Sequence, residues 1–315
     1  MERKTVAMYG AERKAADQKR QVEDKQISDQ TFNRVSNRTS HSLSHGASFR
    51  SFRKVAALAL TACMVFSLAA CGNKSSKNTA DDNTLVVGFD QNFPPFGYKD
   101  DDGNFTGFDL EMAKAAAKKM GMKVKYQPVD WDAKDMELDA GTVDCLWNGF
   151  TINGREKQYT WTDPYMDNSQ VVVVKKDSGI TDLKGLAGKT VEVQKESSAE
   201  SALNDDDHKE LKSSFKDMLT TADYNTAMMD LEQGSVDAIA MDIFVAKDQI
   251  KGKEDTFKIL DDQISSEQYA VGFKKGNTKL RDKVEDAMKE LVKDGTFKKL
   301  SEKYFDADVC ILKAD

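Results

Sequence analysis

Histidine is almost missing from this chain of 315 residues: there are three, and His41 and His45 both precede the first apolar run. His208 remains, inside the charged stretch Asp205-Asp206-Asp207-His208-Lys209-Glu210. One surface histidine builds neither a Ser-His-Asp triad nor a multi-histidine zinc site, so reaction classes that need either are excluded. Cysteine is as scarce, at Cys63, Cys71, Cys145 and Cys310. Cys145 and Cys310 have a pairing open to them in an oxidising compartment, but a buried free thiol is the commoner fate for Cys145 in its apolar strand-like run. The uncharged run Val55 to Ala70 has 16 residues, short of the ~20 that a spanning helix needs. Positive charge is also lacking beyond that run. Residues 1–70 hold 12 of the 46 basic and 6 of the 53 acidic residues, which leaves 34 and 47 for the remainder, a net of −13. Such a surface repels nucleic acid.

Met1 to Ser48 is polar, rich in Arg, Ser, Gln and Asn, and is set aside as a long charged leader or an over-extended start. Arg50, Arg53 and Lys54 then precede the run from Val55, and the run closes on Leu68-Ala69-Ala70-Cys71. Basic-then-apolar order with small residues at the end is that of a secretory signal. Small residues just before a cysteine resemble a bacterial lipobox, in which Cys71 receives a diacylglycerol and becomes the first residue of the mature chain. Residues 1–70 are thus leader and signal, and 71–83, small and polar, a flexible tether. About 230 residues follow from Thr84, enough for two cores of ordinary size.

Two segments match each other: Met136-Glu137-Leu138-Asp139-Ala140-Gly141-Thr142-Val143-Asp144-Cys145-Leu146 and Met229-Asp230-Leu231-Glu232-Gln233-Gly234-Ser235-Val236-Asp237-Ala238-Ile239. Each reads as a helix stopped by Gly in the left-handed cap position, followed by a short apolar strand. Strands alternate with helices elsewhere: Thr84 to Phe89 and Met122 to Tyr126 flank a helix from Phe108 to Met120, and Thr190 to Val193 precedes a helix from Ser198. The pattern is α/β, a mostly parallel sheet covered by helices. Leu280, Val284, Ala287, Met288, Leu291 and Val292 add a late helical stripe.

In open α/β sheets a ligand sits beyond the carboxyl ends of the strands, so the residues just after each strand are the candidates. Asn148, Gly149, Thr151 and Arg155 offer an amide, a bare backbone, a hydroxyl and a guanidinium, a set that suits a carboxylate; Arg155 taken alone is more often an ordinary surface ion pair. Ser197 and Ser198 open a helix with Glu200 at capping-box spacing, which explains both serines as caps, while free N–H groups there also suit an anion. Asp242 follows a strand and suits an ammonium, or serves as helix N-cap. Phe93, Phe96, Trp131 and Trp147 are core residues or walls for a small zwitterion's side chain.

From about Asn83 to Phe305 the chain resembles the extracellular solute-binding proteins of ABC importers, in the family (family 3 type) that takes polar amino acids. The motifs that carry it are Gly107-Phe108-Asp109-Leu110, Trp131 with its acid-rich helix, Val143-Asp144-Cys145-Leu146-Trp147-Asn148-Gly149-Phe150-Thr151-Ile152 and Arg155. They continue in Tyr159-Thr160-Trp161-Thr162-Asp163-Pro164-Tyr165, Leu183-Lys184-Gly185-Leu186-Ala187-Gly188-Lys189-Thr190-Val191 and Val236-Asp237-Ala238-Ile239. The resemblance implies a two-lobed periplasmic-binding-protein-like fold (type II), two mostly parallel sheets covered by helices and joined by two hinge strands. Lobe 1 is expected at 84–174 plus 270–315 and lobe 2 at 175–269, with crossings near Val174-Lys175-Lys176 and Gln268 to Val271. It further implies that Arg155, Thr151 and Ser198 hold a ligand carboxylate, that Asp242 holds the α-amino group, that Phe93 and Trp131 wall the side chain and that Asp90 stands beside it. Relatives carry one more residue before the arginine than Gly154 supplies here, and Gly154 tolerates the tighter turn.

The function implied is capture of a polar L-amino acid and delivery to a membrane permease with its ATPase subunits, by a monomer with no catalytic residues, no cofactor, no metal and no nucleic acid. An exported lyase-like enzyme and an amino-acid sensor domain are the competing classes; the first lacks a marked general acid or base, the second a downstream spanning helix. Glutamine, histidine, arginine and cystine all remain open as ligands. The lipid at Cys71 points to the extracytoplasmic face of the membrane, on a Gram-positive-type surface. Cys71→Ser is expected to release the protein into the medium, read by immunoblot of cell and medium fractions; full retention with the membrane fraction removes the tether.

Overall fold

A computed structural model describes residues 83–314. Cys71, the leader and the tether up to residue 82 lie outside the described residues. The described part falls within one compact unit.

Apolar runs rich in Val, Ile and Leu supply the strands, which are β1 (Thr84–Phe89), β2 (Lys123–Pro128), β3 (Cys145–Leu146), β4 (Thr160–Trp161), β5 (Met166–Lys175), β6 (Thr190–Gln194), β7 (Asp217–Thr221), β8 (Ala238–Asp242), β9 (Phe257–Tyr269) and β10 (Gly272–Phe273). They form two five-stranded sheets, ordered β2-β1-β3-β10-β4 and β7-β6-β8-β5-β9. Both sheets have the same plan. Three strands run parallel, β2-β1-β3 and β7-β6-β8, and two more are added through antiparallel pairs. Each sheet is therefore mixed, with one strand, β10 in the first and β5 in the second, running against the other four.

The change of sheet differs from the sequence expectation. β5 pairs with β9 from Met166 to Lys175 and with β8 from Gln170 to Val174, so the chain leaves the first sheet between Trp161 and Met166, ahead of the crossing expected near 174–176. The valines from 171 to 174 are fully buried and pair on both edges of the strand, which holds them inside the second sheet. The return lies between Tyr269 of β9 and Gly272 of β10. A small antiparallel sheet from Asn92 to Thr106 sits beside the first.

Eight helices among the described residues cover the sheets: α1 (Phe108–Lys119), α2 (Lys134–Ala140), α3 (Ser198–Asn204), α4 (Lys209–Ser214), α5 (Tyr224–Gln233), α6 (Ile243–Ile250), α7 (Thr278–Lys293) and α8 (Thr296–Phe305). α2 and α5 end on Gly141 and Gly234, at φ 75° and 82°, the left-handed caps that the repeat predicts. α1 buries Phe108, Met112, Ala113 and Ala116 at helical spacing. α7 and α8 return to α1, with Phe297 and Phe305 edge-on to Phe108 at 5.6 and 5.0 Å. One apolar cluster runs from Leu85 and Phe89 of the first sheet to Met241 and Tyr269 of the second. Cys145 and Cys310 are free thiols. No described helix is long and apolar enough to cross a membrane.

Glu192, in the middle of β6, is buried and its Oε2 has no partner. Burial, with Asp230 nearby, pushes its carboxyl up to about 6. A carboxyl raised on folding favours the folded state when protonated, and that contribution is lost as pH rises through about 6. Glu192→Gln is expected to raise stability by about 1 kcal/mol at slightly alkaline pH, a shift of roughly 2–4 °C in Tm. The gain should vanish in melts below the usual Glu range; an equal gain at both pH values counts against the account.

Candidate functional site

In each sheet the strand order reverses at β1 or β6, the middle one of the three parallel strands, and the segments leaving those strands at their carboxyl ends face one another, joined by the Gln194 to Asp90 bond. Asp90 follows β1, Asn148 and Gly149 follow β3, Ser197 and Ser198 follow β6, and Asp242 ends β8. Of the residues expected to hold a ligand, Asp90 and Trp131 line one cavity and Thr151, Arg155 and Ser198 another.

Arg155 spans the cleft. Its Nη1 donates to Ser198 Oγ at 3.1 Å and to the Thr151 carbonyl at 3.4 Å, and its Nη2 donates to the Glu196 carbonyl at 3.4 Å. Gly154, at φ 77°, makes the tight turn that leads into Arg155. Every hydrogen-bond acceptor of the guanidinium is a neutral oxygen, the Phe150 ring lies 5.5 Å from it, and no carboxylate lies within ion-pair distance among the described residues, so the surface ion-pair reading does not apply. Ser197 caps α3, accepting from Glu200 N at 3.1 Å. Glu200 Oε2 accepts from Glu196 N at 2.6 Å, one residue earlier than a capping box would place it, with Glu196 at φ 60°.

Asp242 stands at the start of α6 without capping it. Its Oδ1 instead accepts from Asn168 Nδ2 and Gln170 Nε2, both at 2.8 Å, and from the Tyr269 hydroxyl at 2.5 Å. Glu267 Oε1 accepts from the same two amide nitrogens, both at 2.7 Å, and from Thr151 Oγ1 at 2.9 Å. Thr151 therefore faces Glu267, while its carbonyl serves Arg155. Burial, reinforced by the Glu267 charge, pushes Asp242 up to about 7. A cavity of about 220 Å3 is lined by Arg155, Ser198, Glu267, Thr151 and His208 among others.

A second cavity, of about 690 Å3, is lined by Asp90, Asp130, Trp131, Lys195 and Asp223 among others. Asp90 Oδ2 accepts from Gln194 Nε2 at 2.6 Å, a direct bond between the two sheets. Burial lifts Asp90 to about 6, against the pull of the Asn92 and Gln194 hydrogen bonds. Trp131 meets Phe150 edge-on at 5.3 Å, and Phe93 lies 6.0 Å from the Tyr224 ring across the cleft. Phe96 and Trp147 are fully buried and belong to the core. Asn148 is buried with Oδ1 unpartnered.

Several cleft residues were not singled out from sequence. Lys134 is 2 % exposed and donates to the Trp131 carbonyl at 3.3 Å and to the Glu196 carbonyl at 3.5 Å; burial lowers its pKa. Lys195 pairs with Asp132 at 2.8 Å across the same gap. Asn168 and Gln170 had a readable signal, two amides on one face at the start of an otherwise apolar strand. Glu267, alternating with Tyr269 in β9, had a weaker one. No group of three or more His, Cys, Asp or Glu among the described residues is placed to hold a metal.

The profile of the bacterial extracellular solute-binding proteins, family 3, matches residues 85–307. The chain is 34% identical over 269 residues to the L-cystine-binding protein TcyJ of Escherichia coli K12, covering 81% of this chain and 99% of that one. It is 34% identical over 254 residues to the arginine-binding extracellular protein ArtP of Bacillus subtilis, covering 79% and 96%. Among solved structures, an ABC uptake transporter substrate binding protein from Streptococcus pneumoniae with bound histidine superposes with a TM-score of 0.70 at 34% identity, covering 73% and 95%.

Gly149 holds the turn after β3 at φ 56°, and its N–H donates to Asp109 Oδ2 at 2.5 Å. A Cβ added there would lie 3.2 Å from the rings of both Phe93 and Tyr269. Gly149→Ala is expected to cost about 1–2 kcal/mol in urea unfolding, since the left-handed backbone is strained for Ala and both rings must give. An unchanged midpoint would show that the turn relaxes freely.

Proposed function

The chain belongs to the bacterial extracellular solute-binding proteins, family 3, and from that premise we propose that it captures a polar L-amino acid between its two sheets and delivers it to the permease of an ABC importer. The observation that carries this reading is the separation of charge in one cleft. Arg155 is held by neutral oxygens, Asp242 and Glu267 by neutral donors, and none of the three is paired with an opposite charge among the described residues. A zwitterion supplies both missing partners. Its carboxylate goes to Arg155 and Ser198, where a guanidinium offers two parallel donors, and its ammonium goes to Asp242. The side chain extends toward Trp131 and Asp90, into the cavity of about 690 Å3 that they line, with Phe93 behind. Relatives named for cystine and arginine, and a solved relative holding histidine, keep those three and glutamine as the ligands to test.

On this reading each sheet anchors one lobe, the passages at 162–165 and 270–271 act as hinges, and ligand favours the closed form through contacts to both lobes. The contacts Asp90 to Gln194, Lys195 to Asp132 and Arg155 to Ser198 are those that closure makes. The permease and its ATPase subunits are the protein partners, and Cys71 carries the lipid that keeps the protein beside them. The cleft holds its amino acid and does not transform it.

Thermal shift against the twenty common L-amino acids and L-cystine tests the reading, because a bound ligand raises stability by RT ln(1 + [L]/Kd). Arg155→Ala and Asp242→Ala are each expected to weaken binding of the tightest ligand by about tenfold or more in calorimetry, the loss of a charge-assisted contact of roughly 1.5–3 kcal/mol. Mass spectrometry should recover the amino acid unchanged. Turnover would favour an enzyme, and unchanged affinity in both variants would remove the site assignment.

A further inference from the structure

Asp242 and Glu267 are built as a matched pair. Each is almost fully buried, at 3 % and 5 % exposure. Each accepts three hydrogen bonds, and two of the three come from the same donors. Asn168 Nδ2 and Gln170 Nε2 each give one N–H to Asp242 Oδ1 and one to Glu267 Oε1, at 2.7 to 2.8 Å. The third bond is from Tyr269 to Asp242 and from Thr151 to Glu267. An amide nitrogen has two hydrogens, so both side-chain amides are used in full to hold two acceptor oxygens side by side. Their own oxygens, Asn168 Oδ1 and Gln170 Oε1, are buried without partners. Neither carboxyl has a cation within ion-pair distance among the described residues.

Two carboxylates held this close and this dry do not both stay ionised without a positive charge. The groups facing them do not supply one. Tyr269 and Tyr224 have their hydroxyls pushed well above the ordinary tyrosine range by burial and stay neutral. Asn168, Gln170 and Thr151 are neutral. Arg155 lines the adjoining cavity with Glu267 but is held by Ser198 and by the Thr151 and Glu196 carbonyls. We propose that Asp242 and Glu267 form one site that exchanges a proton for the ligand's ammonium, so that Glu267 is a second, ammonium-directing acid. One carboxyl O–H bond breaks, its proton passes to solvent, and the ammonium keeps its own three protons and donates to the pair. This rests on the amino-acid reading above.

Affinity must then fall as pH falls, since proton and ammonium compete for one site. Burial lifts Asp242 to about 7, which places the change near neutrality. The tightest of the twenty common L-amino acids and L-cystine is titrated calorimetrically from about pH 6 to about pH 8, in phosphate and in Tris, whose ionisation enthalpies differ. The wild type is expected to release close to one proton per ligand at the low end and to bind about tenfold more weakly there. Glu267→Gln should release almost none and bind with a flat pH profile, while Asp242→Asn binds weakly throughout. Asp90, also raised by burial, is the other proton source in the cleft, and Asp90→Asn should leave the release intact. If Glu267→Gln does not fold, Thr151→Val removes one donor from Glu267 and should move the pH midpoint upward. Binding without proton release, equal release from Glu267→Gln, loss of release in Asp90→Asn or an unmoved midpoint in Thr151→Val each overturns the exchange while leaving the amino-acid reading standing. Failure of every amino acid to bind overturns both.

Discussion

Five carboxyls are buried among the described residues; Glu192 keeps an unpartnered Oε2, and the other four, Asp90, Asp109, Asp242 and Glu267, have to be satisfied without a cation beside any of them. An unpaired buried charge costs several kcal/mol, so each must find neutral donors, and the donors come from distant parts of the chain. Gln194 of the second sheet serves Asp90 of the first. Gly149 and Tyr165 serve Asp109, and Thr151, beyond the first sheet, serves Glu267 of the second. Solvating the acids thereby fixes how the turn after β3 sits against the crossing strands. The ligand cleft is the space that these bonds frame.

The crossing strands show how one segment performs two tasks. The first half of β5 carries Asn168 and Gln170, and the second half is a run of four buried valines. β9 is irregular opposite it, with register shifts between Ile259 and Ser265, and becomes regular where Glu267 lies opposite Asn168. Apolar burial holds the far end of the pair in the second sheet, while the near end presents amides and a carboxylate to the cleft. Bending at the passages on either side leaves this polar clamp intact, because its members belong to neighbouring strands of one sheet.

The elements were legible in the sequence because each is encoded locally. Apolar periodicity gives α1, and Gly141 and Gly234 stop their helices at left-handed φ. The residues that follow the strands were legible for a related reason, since a residue just past a parallel strand is carried to the crevice by topology alone. What sequence reading placed wrongly was the first passage between sheets, because Val171 to Val174 would be as well buried in either sheet and only pairing decides. Glu267 and Lys134 escaped because a buried charge looks like an exposed one until its neighbours from other elements are known. Thr151 was identified as a ligand residue, but the direction of its hydroxyl depends on Glu267, 116 positions away.

Raised acids in a cleft usually suggest proton chemistry on a substrate, and here the arrangement argues for recognition. General acid–base work needs a proton donor within reach of the reacting bond and a group that makes or accepts that bond. Asp242 and Glu267 spend Oδ1 and Oε1 on amides and hydroxyls that hold both acids in place, and in the cavity beside Glu267 Ser198 is bonded to the Arg155 guanidinium. A guanidinium beside a serine stabilises negative charge and does not take its proton. Arg155 and the acid pair are kept from each other by Thr151, whose carbonyl faces one and whose hydroxyl faces the other. That one residue maintains the separation of charge which a zwitterion fits.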